Sequence, residues 1–468
     1  MNSAAVDFYR DAILQTIGIA CGALVLAIVI GAPLALVIVR GGISGRFVAV
    51  VVAVVRAIPE LVLAIVAVVA LGFGPAAGVA ALGLHYAAVI AKLYAETLGG
   101  VRREAAEALR ATGATATAAF LTAMLPAAWP GIVGFGAYAL ESIMRAAVIV
   151  GVVGAGGIGA LLVQQLNLAD YRGFAVSTAL LIALVALVDA ASSRLRARAR
   201  PAFVGAAFAA IALIGVVAFA FTADPPWATI ARAPQHVAAF VAGSLPPRLT
   251  AAIAATAAGG VAVTLFVAVI STLGGALLAL PFAWLATAGT RAASTLGRED
   301  PRARVWAGVS RILLAVVRAA PPVAVALIGL SIVGLGPRAA IFALLLHTVG
   351  VLGKLLAESL ELAERGPAQA LAATGSTASA AAIVALVPTA GSVMIAHLLY
   401  RLEWNVRAST VLGMVGAGGL GQAIFNEQQL LHYQTLATYV IVAVGLVLII
   451  DGLLARGRSR LYLRTLTG

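Results

Sequence analysis

The chain has 468 residues, of which 62% are hydrophobic and only 10% charged, with a mean hydropathy of +1.07. Soluble globular domains carry about 25% charged residues, so there is too little polar side chain here to cover a water-facing surface. The net charge of +13 therefore reads as basic residues sorted across a bilayer rather than as a nucleic-acid footprint, and Cys21, the single cysteine, excludes an intrachain disulfide or a cysteine metal cluster.

A helix crosses the hydrocarbon core with about 20 apolar residues. Apolar runs at 13–39, 47–70, 76–93, 119–140 and 173–190 predict five spans, 201–222 one more, and 250–286, 309–333, 338–353, 380–400 and 434–452 a further five. The first run follows twelve residues that include Asp7, Arg10 and Asp11, unlike the basic start of a signal peptide, and reads as a true span. His85, within the third span, reads as hydrogen-bonded packing. Lys92 with Glu96 reads as an i, i+4 clamp where that span leaves the membrane.

Residues 94–118 are too polar to cross and predict a short amphipathic helix on the cytoplasmic side. Its small face is Ala105, Ala108 and Ala111, its basic face Arg102, Arg103 and Arg110, and Gly113 is expected to cap its end. Glu141 and Arg145 form an i, i+4 pair near the outer end of the fourth span. A charge at membrane depth marks either a pathway or a fixed partner, so the pair reads as a gate or as a self-satisfied helix clamp. Asp189 ends the fifth span before an arginine cluster and is expected to neutralise it locally.

Two stretches, 146–163 with GVVGAGGIG and 408–425 with GMVGAGGLG, are apolar but Gly-rich. If neither crosses, Arg10, Arg145, Arg172, Arg232, Arg248, Arg338, Arg401 and Arg407 fall on one side and the remaining 23 of the 31 basic residues on the other. That bias marks the second side as cytoplasmic. Both stretches are therefore expected to be re-entrant or broken helices, which are tolerated where they line a cavity. GAGGIG at 154–159 matches G-x-G-x-x-G in letters alone, since a dinucleotide site needs a soluble βαβ context.

The chain also repeats itself. Arg56 and Arg318, His85 and His347, Lys92 and Lys354, Gly113 and Gly375, Pro126 and Pro388, Glu141 and Glu403, Arg145 and Arg407, and Asp189 and Asp451 are all 262 residues apart. RAIP at 56–59 matches RAAP at 318–321, GFGP at 72–75 matches GLGP at 334–337, and VGAGGIG at 153–159 matches VGAGGLG at 415–421. Upstream the register shifts to an offset of 248, so that Pro33 pairs with Pro281, and the difference falls in the charged loop at 290–304. The expected fold is an all-α polytopic membrane protein. Two parallel repeats of about five spans (1–200 and 248–468) are joined by a linking span and external loop (201–247), about 11 spans in all. An odd-numbered half needs the extra span to restore orientation.

The spacing of Glu107, Ala108, Gly113, Leu125 and Pro126 resembles the EAA loop of ABC importer permeases. The ordered set H-x6-K-L-x-A-E, A-x-x-A-T-G, E-x-x-x-R and V-G-A-G-G-I/L-G, occurring twice, is similar to the phosphonate ABC transporter permease family, with two permease copies fused. The second half departs from the loop pattern with Gln369, followed by Ala370 and Gly375, and with Val387 before Pro388. Asn405 stands where the first half has Ile143.

The resemblance implies the membrane subunit of an ATP-driven importer for a phosphonate- or phosphate-type oxyanion in a bacterial plasma membrane. It implies coupling helices at Glu107–Gly113 and Gln369–Gly375 that dock an ABC ATPase dimer, and an external substrate-binding protein. ATP and Mg would lie on the partner ATPase, with no cofactor in this chain, which has no G-x-x-x-x-G-K-[ST]. Candidate pathway residues are Glu141, Arg145, Glu403 and Arg407, because arginine bonds phosphate oxygens bidentately. Gly154, Gly157, Gly416 and Gly419 join them at the helix breaks. The competing reading is an ion-coupled secondary transporter with parallel repeats. An intramembrane enzyme lacks any HExxH, GxSxG or Ser–Lys constellation.

Overall fold

The computed structural model describes residues 3–467 apart from 103, 198–200, 223–226 and 288–300. Arg103 and most of the 290–304 loop lie outside the described residues. The chain divides into two compact units, Met1–Pro246 and Pro247–Gly468.

The first unit comprises α1 (Ser3–Arg40), α2 (Gly42–Ala57), α3 (Glu60–Leu71), α4 (Pro75–Gly99), α5 (Glu104–Ala111), α6 (Leu125–Val150), α7 (Gly157–Asn167), α8 (Tyr171–Ala197), α9 (Pro201–Thr222) and α10 (Trp227–Ser244). The second comprises α11 (Ala251–Ala286), α12 (Pro301–Ala319), α13 (Pro322–Val333), α14 (Pro337–Leu362), α15 (Gly366–Ala373), α16 (Val387–Leu412), α17 (Gly419–Gln429) and α18 (Tyr433–Thr467). Among the described residues, eight helices are long and apolar enough to cross a membrane, or ten if each of two bent pairs is one span, and α9 adds a shorter apolar stretch, Ala206–Val217.

Burial in α11 is inverted relative to a soluble helix. It buries Thr264, Ser271, Thr272 and Gly275 and exposes Phe266, Ile270, Leu273, Leu277 and Leu280, a stripe at helical spacing. Lipid offers apolar side chains no reason to turn inward, so helix contacts rest on small residues that let backbones approach. A Cβ at Gly275 would lie 2.6 Å from the Thr348 side chain.

The runs 47–70 and 309–333, expected as single spans, are each two helices, bent by 92° between α2 and α3 and by 85° between α12 and α13. The cause is the proline in RAIP and RAAP. It lacks an N–H and pushes the residue before it out of the helical region, and Ile58 is extended at φ −69°, ψ 125°. The stretch after 222, expected as an external loop, contains helix α10. It packs on α3, with His236 Nδ1 3.2 Å from the Ala70 carbonyl oxygen. α9 lies against α1, where Gly215 faces Cys21.

The two units repeat in backbone detail. π-Helical turns occur at Phe120–Met124 and Gly151–Ala155 and again at Ala382–Leu386 and Gly413–Ala417. Ala169 and Leu431, the only described non-glycine residues at positive φ, occupy matching positions. The upstream register also holds. Thr16 Oγ1 accepts from the Ile158 N–H at 2.9 Å, and Thr264 Oγ1 accepts from the Leu420 N–H at 3.1 Å.

Candidate coupling helices and buried polar sites

α5, EAAEALRA, buries Ala106 alone, and leaves Glu107, Ala108, Leu109 and Arg110 exposed. α15, GPAQALAA, buries Ala368 and Ala372 and exposes Gln369 and Ala370. Both helices end as the sequence predicts, at glycines in the left-handed region, Gly113 at φ 94° and Gly375 at φ 92°. No neighbour crowds a Cβ at either glycine, so the demand for glycine is purely conformational. An L-residue held left-handed costs about 1–2 kcal/mol. Gly113→Ala is therefore expected to fray α5, read as faster amide exchange over residues 104–114. Unchanged exchange would show that the cap does not hold the helix.

The predicted clamps at the inner ends of the third spans are present, with Lys92 Nζ 3.6 Å from Glu96 and Lys354 Nζ 3.5 Å from Glu358. His85 is buried with its Nε2 3.6 Å from Glu60 Oε1, and the Tyr86 hydroxyl donates to the same oxygen at 3.3 Å. The Glu60–His85–Tyr86 cluster ties α3 to α4 just beyond the proline bend. Sequence reading missed Glu60, which became legible only once the bend turned its helix toward α4.

The Gly-rich stretches are breaks, as expected, and their glycines serve close packing. In α6–α7, a Cβ at Gly159 would strike the Val148 carbonyl oxygen, and in α16–α17 one at Gly421 would strike the Thr410 carbonyl oxygen. Gly154 (φ 108°) and Gly416 (φ 97°) each receive the GxGP turn, through Gly74 N–H to Gly154 O and Gly336 N–H to Gly416 O, both at 2.9 Å. The amide of Gly157 donates to Gln15 Oε1 at 2.8 Å, and that of Ile158 to Thr16. Gly419 packs on Thr264 in the same way. The amides of Gly157 and Ile158 are thus engaged by α1, and that of Leu420 by α11.

Glu403 and Arg407 form the expected pair, Arg407 Nη2 donating to Glu403 Oε1 at 2.7 Å, and the same nitrogen donates to Asp451 Oδ2 at 2.6 Å. Asp451 therefore ties α18 to Arg407 on α16. The contact also puts Arg407 and Asp451 at one level, so they cannot lie at opposite ends of their spans. α16 runs past Arg407 to Leu412, and a π-turn carries it to Ala417 before the break at Gly418. In the first unit Glu141 is buried, and Arg145 and Asp189 are half-buried at the matching positions.

A second polar cluster in the second unit was not foreseen. Arg401, counted by sequence among external residues, is 3% exposed inside α16. Its Nε donates to Thr348 Oγ1 at 3.1 Å, and its guanidinium carbon lies 4.0 Å from the centroid of the Trp404 ring, on which His347 also stacks. Asn405 Nδ2 donates to Thr272 Oγ1 at 2.8 Å and to Thr348 Oγ1 at 3.1 Å. The signal in the sequence was Asn405 in place of Ile143, but its partners lie 57 and 133 residues away.

Residues 24–201 and 289–461 match the family of binding-protein-dependent transport system inner membrane components. The chain belongs to this family. Relatives of this transport component include the phosphate-import permease protein PhnE of Mycolicibacterium smegmatis, 31% identical over 87% of this chain and 76% of the relative. The phosphite transport system permease protein PtxC of Stutzerimonas stutzeri is 36% identical over 31% of this chain and 52% of the relative. A putative cryptic phosphonate transport system permease protein, PhnE2 of Escherichia coli, is 37% identical over 25% of this chain and 96% of the relative. This transport component is a multi-pass membrane subunit, and its relatives are permeases rather than enzymes.

Proposed function

We propose that this chain is the membrane permease of an ATP-driven importer in a bacterial plasma membrane, carrying a phosphate-, phosphonate- or phosphite-type oxyanion delivered by an external binding protein. The observation that carries this reading is the similarity to a phosphate-import permease along 87% of the chain. The two exposed short helices, α5 and α15, support it. Each protrudes from its unit at the position of the EAA-like motif and offers a surface to an ABC ATPase dimer. Glu107 and Arg110 give α5 a charged face, whereas Gln369 and Ala370 leave α15 without charge, so the two contacts differ in salt sensitivity.

ATP and Mg would be held by the ATPase subunits, whose closure must favour one permease state by about 5.5 kcal/mol to move an equilibrium from 1:99 to 99:1. In this reading Glu141–Arg145 and Glu403–Arg407 clamp helices, and the glycine breaks fix the fold around the pathway. The test is uptake of radiolabelled phosphate, methylphosphonate and phosphite into proteoliposomes holding the chain, its ATPase and its binding protein. Uptake is expected only with ATP and the ATPase. Uptake driven by an ion gradient alone would favour a secondary transporter.

A further inference from the structure

The polar cluster around Arg401 is costly to bury and has no counterpart at the matching positions of the first unit. Thr272, Thr348 and Arg401 each lie at least 11 residues from both ends of α11, α14 and α16, about 16 Å of helix at 1.5 Å per residue. A charged side chain inside a membrane helix is costly and marks a pathway or a fixed partner. The first unit supplies a built-in control. At the positions matching Thr272, Thr348, Arg401 and Asn405 it has Leu24, Tyr86, Ala139 and Ile143. It nevertheless builds the same helices, π-turns and glycine breaks. Packing alone therefore does not call for a guanidinium, an amide and two hydroxyls at this address, and buried ionic groups can often be replaced by apolar ones without loss of stability.

The chemistry of the cluster is that of an oxyanion site. Arg401 is oriented on one side by Nε on Thr348 and flanked by the Trp404 ring, while Asn405 ties Thr348 to Thr272. A guanidinium fixed through Nε presents its two terminal nitrogens as a fork that matches two oxygens of a tetrahedral oxyanion. We propose that the second unit alone carries a transit site for the transported oxyanion, with Arg401 as its ligand and Thr348, Asn405 and Thr272 as positioning residues. The site rests on the importer reading above and adds to it an asymmetry between the halves: the anion is read by one half only.

The test uses the assembled complex of chain, ATPase and binding protein in proteoliposomes, with radiolabelled phosphate, methylphosphonate and phosphite as probes. Arg401→Gln is expected to slow uptake about 10- to 100-fold, the scale of a lost bidentate charged contact. ATP hydrolysis stimulated by loaded binding protein and the thermal midpoint of the complex are expected to stay near wild type. Arg401→Lys, which keeps the charge without the fork, is expected to fall between the two, and Asn405→Ile, which installs the first unit's residue, to slow uptake likewise. Ala139→Ser in the first unit should leave uptake within twofold.

Wild-type uptake by Arg401→Gln would overturn the site, as would loss of uptake accompanied by equal losses of hydrolysis and thermal midpoint, the pattern of a packing role. If Arg401→Gln does not assemble, Thr348→Val decides. It removes the acceptor of Arg401 Nε, and slowed uptake at a retained midpoint supports the site, whereas unchanged uptake overturns it. A wild-type complex that takes up none of the three oxyanions with ATP would remove the importer reading and the transit site together. Normal wild-type uptake with an indifferent Arg401 variant removes the transit site alone.

Discussion

Arg407→Ala should lower the thermal midpoint of the detergent-solubilised protein by on the order of 10 °C. Removing one member of a buried ion cluster costs about 3–5 kcal/mol, because the remaining charges lose their counterion where water cannot replace it. In a unit of some 200 residues each kcal/mol shifts the midpoint by about 2–4 °C. Here the penalty is compounded, since one nitrogen of Arg407 serves both Glu403 and Asp451 at 2.7 and 2.6 Å. With it gone, two carboxylates face each other across the α16–α18 contact.

The size of the effect separates a clamp from a gate. A gate residue lost from an open pathway would depress uptake and leave the fold intact. A clamp residue lost from between two helices would depress stability first, and uptake only through it. Neutralising the stranded partners should then recover stability, so the triple variant Arg407→Leu, Glu403→Gln, Asp451→Leu is expected to melt within a few degrees of wild type. A single Arg407→Ala that melts like wild type while uptake collapses would return Arg407 to the pathway.

What the sequence conveyed about this fold depended on how local each feature is. The 262-residue offset was legible because most of each half repeats without a gap, and the glycines at 113 and 375 because a helix end of this kind leaves few choices of residue. The bends at Pro59 and Pro321 were lost when hydropathy was read as continuous across them, although the prolines stood in plain view within the repeat motif. Contacts made through space were harder still. The GxGP turn and the glycine break were two separate motifs in the sequence. They became one device only when Gly74 was found hydrogen-bonded to Gly154, and Gly336 to Gly416. Arg401 was misplaced because a basic residue near a predicted span end was assigned to the water, whereas its helix runs on and surrounds it with Thr348, Trp404 and Asn405.

The glycine breaks themselves carry the other large expected effect. Gly421→Ala would set a methyl group against the Thr410 carbonyl oxygen, with the Gly413 Cα 3.0 Å away on the same side. Both neighbours are backbone, so no side-chain rotation relieves the clash, and overpacking of a tight site costs about 1–3 kcal/mol or more. Relief requires α17 to swing away from the end of α16. That movement pulls on the Leu420 N–H bond to Thr264 at 3.1 Å and on the Gly336 bond to Gly416 at 2.9 Å. Gly445→Ala supplies the opposite sign within the same unit. Gly445 sits inside α18 with nothing within 4 Å of an added Cβ, and alanine there is expected to stabilise by about 0.4–1 kcal/mol through the unfolded chain's lost freedom. Measured side by side as the monodisperse fraction surviving a heating series, Gly421→Ala should melt several degrees early and Gly445→Ala at or above wild type. Equal midpoints for the two variants would mean that the α16–α17 reversal tolerates a side chain, and the glycine pattern shared by the two halves would then need a cause other than close packing.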